Sequence, residues 1–396
     1  ACASAVAAIL AVGAGFTAGT EGRAAGGRME PRARTLPPRL ATSRGRVFYV
    51  APWGENANPG TRSRPWRTIQ KALDTLRAGQ TALVRSGIYR QSLVMRRAGT
   101  ARAPITVRAY RRERPVVRPG GSDEMDYPVR ITAGAAYFRF AGFVVEGAPL
   151  HTTMNVWISD GQRRQPSAAH DIELSACEIR DGTGTGLFVS PNTARVHLLG
   201  NVVHDNGDGS RQHQGIYFQG QNGLIANNVV YHHTDGFGIQ IRGNYPDPDT
   251  EVPIAANNVI VTNNTVVDNS LSGIMVENNA RNTTVVNNIS AFNGSYGIRG
   301  YDNGESDVLP GNVAFNNLVY GNRSGTYGNE SRAVIAFSRR NVAANPRFVD
   351  AGRRDYRLRS GSPALNRAVR SFAPRVDHAG RLRFRRSGPD LGAFER

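Results

Sequence analysis

The sequence predicts an all-β chain folded as a single-stranded right-handed parallel β-helix, a solenoid of stacked coils, with an N-terminal capping helix. Three observations predict it. First, one phrase recurs: Gly200-Asn-Val-Val-His204, Asn227-Asn-Val-Val-Tyr231, Asn263-Asn-Thr-Val-Val267, Asn287-Asn-Ile-Ser-Ala291 and Asn316-Asn-Leu-Val-Tyr320. Counted on the second residue (Asn201, Asn228, Asn264, Asn288, Asn317), the spacings are 27, 36, 24 and 29 residues. Second, most phrases lead into Gly-Ile and an alternating strand, as in Gly215-Ile-Tyr-Phe-Gln219 and Gly273-Ile-Met-Val-Glu277. Third, the repeats hold short β runs without helices, lack a leucine-rich pattern and are too short for propeller blades. That combination is the signature of a solenoid.

Taken in chain order, residues 1–22 read as a signal peptide. The uncharged run Ala3–Thr20 is too short to span a membrane comfortably and resembles the apolar region of a secretory signal. Export is therefore expected, with no membrane insertion of the mature chain. Residues 23–45, rich in Arg, Gly, Pro and Ala, read as a disordered linker. The β-helix is assigned to 46–396. Within it, 46–90 form the N-terminal cap and first strands: apolar Ile69, Ala72, Leu73 and Leu76 fall on one helical face, and Gly79 stops the helix. Such a helix covers the open end of a solenoid core. Residues 128–325 are the regular coils and 340–396 a closing segment. Stacked Asn amides at each corner donate to one neighbour and accept from the next. A second column lies five residues on, at Asn206, Asn269, Asn293 and Asn322, with His233 in the remaining slot. These ladders are assigned to the scaffold.

Composition narrows the chemistry. Cys2 and Cys177 are the only cysteines, which leaves no disulfide framework and no cysteine metal site. The net charge is +18, nearly all of it arginine, with Lys71 the single lysine. Such an excess favours an anionic partner. Nucleic acid is not expected: no recognition module is visible, and export argues against it.

Phe48-Tyr-Val-Ala-Pro-Trp-Gly54, Asn58-Pro-Gly-Thr61 and Arg64-Pro-Trp-Arg-Thr-Ile-Gln-Lys-Ala-Leu73 resemble the N-terminal segment of secreted bacterial β-helix proteins of the pectate-lyase-like superfamily. Asn345-Pro-Arg-Phe-Val-Asp350, Tyr356-Arg-Leu-Arg359 and Gly388-Pro-Asp-Leu-Gly-Ala-Phe-Glu395 are similar to its closing segment. The resemblance implies the fold over residues 47–396 and, more weakly, an activity on carbohydrate. Characterised relatives include polysaccharide lyases, uronate epimerases and some glycosidases. Calcium is common among them, and Glu277, Asp302 and Glu305 are weak candidates for oxygen ligands, although no dense calcium motif appears.

Function is expected where the repeat breaks, because a solenoid takes insertions at its corners. From the second Asn to the Gly of Gly-Ile takes 9 or 10 residues in three coils and 14 in the coil of Asn201. The extra residues lie in 205–214, with Asp205, Asp208, Arg211 and His213. A second insertion, 243–253, would wall the same cleft. Strand alternation turns Phe188, Tyr217, Gln240, Met275 and Arg299 outward, followed by Ser190, Gln219, Arg242, Glu277 and Tyr301. A third column, Asp181, Asp205, His232 and Asp268, would set His232 between carboxylates. The candidate catalytic residues are His213, Tyr217, Arg242 and His232. Arg211, Gln219, Gln240, Arg299, Tyr301, Asp205 and Asp208 are the candidate substrate contacts.

The leading expectation is a polysaccharide lyase cleaving a uronate-containing acidic polysaccharide by β-elimination, with the chain a monomer. Arginine would clamp the carboxylate, His213 would take the C5 proton and Tyr217 would serve as acid. Lyases of the superfamily often use a lysine base, and the lone lysine lies on the capping helix. A C5-epimerase uses nearly the same groups. A glycoside hydrolase needs two carboxylates across the bond, for which Asp205, Asp208 and Asp235 are candidates. A non-catalytic glycan-binding β-helix remains a fourth reading.

Overall fold

A computed structural model describes residues 36–119, 127–147, 154–158, 169–210, 213–243, 256–302, 311–330, 334–384 and 387–396. The chain is a right-handed parallel β-helix of three long parallel sheets. Sheet A has 11 strands, sheets B and C have nine each, and a further pair, Phe348–Asp350 with Asp355–Leu358, is antiparallel. One coil runs through the three sheets in turn, for example Ala194–Leu199 in A, Val202–His204 in B and Ile216–Phe218 in C.

Each strand is short because corners recur, and the corners explain the repeated phrase. The first residue of the phrase takes the left-handed conformation, with φ of 63° at Gly200, 58° at Asn227, 51° at Asn263, 59° at Asn287 and 56° at Asn316. Glycine and asparagine bear that conformation at least cost. The second residue is the ladder. Asn201 Nδ2 donates to Asn228 Oδ1 at 3.0 Å, Asn228 to Asn264 and Asn264 to Asn288 at 2.9 Å, and Asn288 to Asn317 at 3.0 Å. The ladder runs one rung further than the sequence phrase, to Asn341. In the second ladder Asn269 donates to Asn293 and Asn293 to Asn322.

Inward residues of the three sheets, such as Leu187, Ile216, Ile239, Ile274 and Ile298 of sheet C, form one continuous core. The helix Ile69–Thr75 buries Ile69, Ala72 and Leu73 against it, with Thr68 as N-cap accepting from the Lys71 amide and Leu76 as C-cap. Phe48 stacks on Trp66 at 4.7 Å beside this helix. Among the described residues, no helix is long and apolar enough to cross a membrane.

The outer faces of sheets A and B are partly covered by the chain's own segments. Of the stretch expected as linker, residues 36–45 are described. They have no regular secondary structure and lie on sheet A, where Leu36 packs beside Leu224 and Val313, and Arg39 joins Arg139 on the buried Glu173. The C-terminal segment runs along the flank: Phe348, Tyr356, Leu358, Leu391 and Ala393 cover Val229, Val267, Ile289 and Leu318 of sheet B.

Candidate functional site

Sheet C presents an outward column that rises one residue per coil. Its register aligns Arg130, Trp157, Phe188, Tyr217, Gln240, Met275 and Arg299. A second column aligns Arg242, Glu277 and Tyr301. Inward neighbours such as Ile216, Phe218, Ile239, Ile241, Ile274 and Val276 belong to the core. The outward direction read from the alternation therefore holds for Phe188, Tyr217, Gln240, Met275, Arg242 and Glu277.

The structure brings Tyr217, Gln219, Gln240, Arg242 and Glu277 into one contact group. Arg242 Nη1 donates to the Tyr217 hydroxyl at 3.3 Å, and Gln219 Nε2 donates to the same oxygen at 3.2 Å. Arg242 Nε lies 3.3 Å from Glu277 Oε1, and Gln240 Nε2 donates to that oxygen at 2.6 Å. Arg299 adds its charge near Glu277 and lies over the Tyr301 ring, 5.4 Å from its centroid. Gln219, Gln240 and Glu277 are buried although they project outward. They form a buried polar cluster rather than a wet sheet face. Burial pushes the Glu277 carboxyl up, against the pull of Arg242 and Gln240. Burial likewise raises the Tyr217 phenol to about 12, so it keeps its proton at neutral pH.

His213 lies at the corner between sheets B and C, three residues before the strand that carries Tyr217. Its Nε2 stands 3.6 Å from Asp208 Oδ1, and Asp208 is held by the Ser210 amide at 2.9 Å and hydroxyl at 2.6 Å. Those bonds lower the Asp208 carboxyl. The corner is seated on the next coil through Gly236, where a Cβ would fall 1.5 Å from the His213 carbonyl oxygen. Arg211 and Glu305 lie outside the described residues, as does most of the 243–253 insertion.

Asp205 and His232 are drawn away from Tyr217, toward sheet B. Their column exists: Asp181, Asp205, His232 and Asp268 all have φ between 51° and 57°. Asp205 binds His232, accepts from Arg354 Nη1 at 2.8 Å and meets His204 Nδ1 at 2.5 Å. Arg354 in turn lies over the Tyr231 ring, which packs on Tyr356 of the C-terminal segment. Burial would raise the Asp205 carboxyl, but its bonds to His204, His232 and Arg354 overcome that and hold it at about 2. This cluster fastens the C-terminal segment to sheet B. Arg354, 149 residues from Asp205, escapes sequence reasoning because no repeat or motif links the two.

Of the residues nominated for calcium, Glu277 does not suit it, and Glu305 lies outside the described residues. Glu277 is enclosed by Arg242, Gln240 and the charge of Arg299, which disfavours a second cation. Among the described residues, no group of three or more His, Cys, Asp or Glu could hold a metal ion.

Residues 48–223 match the family described as Pel9A-like, right handed beta helix region. The structure of pectate lyase Pel9A superposes on 92% of this chain and 99% of its own, with a TM-score of 0.53 and 18% identity. Over 166 residues, 40% of this chain, the sequence is 27% identical to the uncharacterized protein YwoF of Bacillus subtilis, covering 29% of it. Over 85 residues, 20% of this chain, it is 34% identical to pectate lyase PEL9 of Emericella nidulans, covering 21% of it. The chain thus spans less than a third of either curated relative. Fold and family match together define the class of the molecule as a right-handed parallel β-helix protein. In particular, residues 48–223 resemble the Pel9A-like right-handed β-helix region, and the coils that follow continue the same fold.

Proposed function

We propose that this chain is an exported polysaccharide lyase that binds a uronate-containing polymer on the outer face of sheet C and cleaves it by β-elimination. The observation that carries the reading is Arg242, set between the Tyr217 hydroxyl and Glu277 at 3.3 Å from each. A guanidinium clamps a carboxylate in two-point fashion and keeps its charge at any working pH. Because burial weakens the ionised form of Glu277, a substrate carboxylate can compete for Arg242, with Arg299 adding charge beside it. Neutralising the uronate carboxylate acidifies the C5 hydrogen. His213, near neutral in its unperturbed pKa, is the base that takes this proton. The electron pair forms the C4–C5 double bond, the C4–O bond breaks, and Tyr217 protonates the leaving oxygen. Gln219 and Gln240 bind sugar hydroxyls. Lys71, on the capping helix at the N-terminal end, takes no part.

The likeness to pectate lyases supports pectate as the first polymer to try. The test is ultraviolet absorbance of the unsaturated product on pectate, alginate, hyaluronan and chondroitin. Absorbance that rises with wild type and not with Arg242→Ala supports the reading. Reducing ends without absorbance would make the chain a hydrolase. Binding without either product would make it a glycan-binding protein, and a changed uronate stereochemistry without cleavage would make it an epimerase.

A further inference from the structure

After Arg130, the same outward column carries three aromatic residues in a row. Trp157, Phe188 and Tyr217 occupy three successive coils, and Tyr127 lies beside Trp157 with ring centroids 4.9 Å apart. Phe188 and Tyr217 are 5.0 Å apart at 31°. Their inward neighbours, Val156, Ile158, Leu187 and Val189, are fully buried and already supply the core. All four rings remain half-exposed. An outward sheet face ordinarily alternates to polar residues, so a run of rings there calls for a partner. The rings are also held in place. Trp157 donates its Nε1 hydrogen to Ser190 Oγ at 2.8 Å, which fixes the indole plane before anything binds.

The coils beyond Tyr217 identify the occupant. The column continues through Gln240 and the buried Met275 to Arg299, with Arg242 and Glu277 alongside. Gln240 is buried, yet its Oε1 has no hydrogen-bond partner among the described residues. A buried amide oxygen with no partner among the described residues suits a hydroxyl donor. From Trp157 to Arg299 is five coil steps, roughly 24 Å at the ordinary strand spacing. Between Arg130 and Gln240 this track offers aromatic rings, and beyond them it offers amides and the cations Arg242 and Arg299.

We infer that Trp157 and Phe188 form a stacking platform for sugar rings of the polysaccharide bound at Tyr217–Arg299, extending that site toward the N-terminal end. Pyranose rings lay their C–H faces on Trp157 and Phe188, while carboxylates of the next sugars meet Arg242 and Arg299. The platform rests on the proposed site and adds a requirement for chain length. Oligomers long enough to reach both ends bind better than those confined to the cationic end.

Tryptophan emission tests it directly. The chain has three tryptophans, of which Trp66 is buried (3% exposed) and Trp53 is exposed (61%). In a Trp53→Phe background, pectate and alginate octamers are expected to shift and quench Trp157 emission, and trimers to do so less. Trp157→Ala and Phe188→Ala are expected to weaken octamer binding by calorimetry about tenfold, with a smaller loss for trimers. Trp157→Phe keeps a ring and restores most of the affinity, which separates stacking from a folding defect. Octamer binding that ignores both alanine variants, or equal losses for trimer and octamer, overturns the platform alone. A Trp157 that resists acrylamide quenching equally with and without sugar also overturns it, because its own chain then covers it. Failure of every polyuronate to bind overturns the proposed site and the platform together.

Discussion

His233 occupies a ladder slot that neighbouring coils give to asparagine, and this substitution has a pH signature. Its Nε2 meets the Val203 carbonyl oxygen at 3.2 Å, while its buried Nδ1 has no partner among the described residues. Burial pushes the imidazole down to about 4. The unfolded chain, with a histidine pKa near ~6.5, therefore takes up this proton first as pH falls. Stability is complete above about pH 6.5 and is lost toward pH 4, with a slope of about 1.4 kcal/mol per pH unit. His233→Asn continues the ladder and removes the titration, so its melting temperature is expected to fall less than wild type between pH 7 and 4. Parallel profiles would show that His233 is not where the proton goes. Asp205 behaves at lower pH. Its carboxyl, held at about 2, contributes stability above its unfolded value of about 3.9, and that contribution disappears as pH falls through 2. Asp205→Asn should thus destabilise at pH 7 and matter little at pH 2, as read by urea midpoints.

At the level of the coil, the ladder carries more than any single strand. Asn264 accepts from the Asn228 backbone amide and side chain, and donates to the Ile225 carbonyl and to Asn288, all at 2.9 Å. Asn264→Ala leaves several of these buried groups unpaired at about 1–3 kcal/mol each. It should lower unfolding free energy by at least ~3 kcal/mol, whereas Asn341→Ala, at the half-buried end of the ladder, costs less. Equal losses would deny that burial sets the cost. The ladder was legible in the sequence because every coil turns at the same place and so restates the same residue. The outward direction of Tyr217, Arg242 and Glu277 was legible from the two-residue period for the same reason. The seating of the His213 corner on Gly236 was not, because close approach of two backbones leaves no periodic trace. Gly236→Ala forces the His213 carbonyl to move. It is expected to depress turnover on whichever polyuronate the chain cleaves while leaving sugar affinity largely intact. Unchanged turnover would remove His213 from the proposed chemistry.

For the molecule as a whole, the open question in a solenoid is what covers apolar strands that face outward. Val229, Val267, Ile289 and Leu318 project from sheet B, and a repeat unit by itself offers nothing to bury them. The C-terminal segment does so, and its anchor is a fully buried arginine. Arg383 Nη2 donates to Asn227 Oδ1 at 2.9 Å and to the Gly392 carbonyl at 2.8 Å, while Nη1 reaches the Asp390 carbonyl at 3.1 Å and Glu395 Oε2 at 3.3 Å. Asn227 is the left-handed corner residue of its coil, so one residue type sets the turn and also receives the strap. Sequence alone could not reveal this, because the strap meets the coils through contacts spanning well over a hundred residues. Removing one partner of a buried charge leaves the other uncompensated, typically at about 3–5 kcal/mol. That loss should fall first on the strap, since the inner core retains its own continuous packing. Arg383→Ala is thus expected to make the chain cleavable by trypsin beyond residue 344 under native conditions. The apolar dye ANS should bind to the uncovered face of sheet B, while far-ultraviolet circular dichroism stays near wild type. Simultaneous loss of strap and β-signal would mean that the segment is part of the cooperative core rather than a cover laid over it.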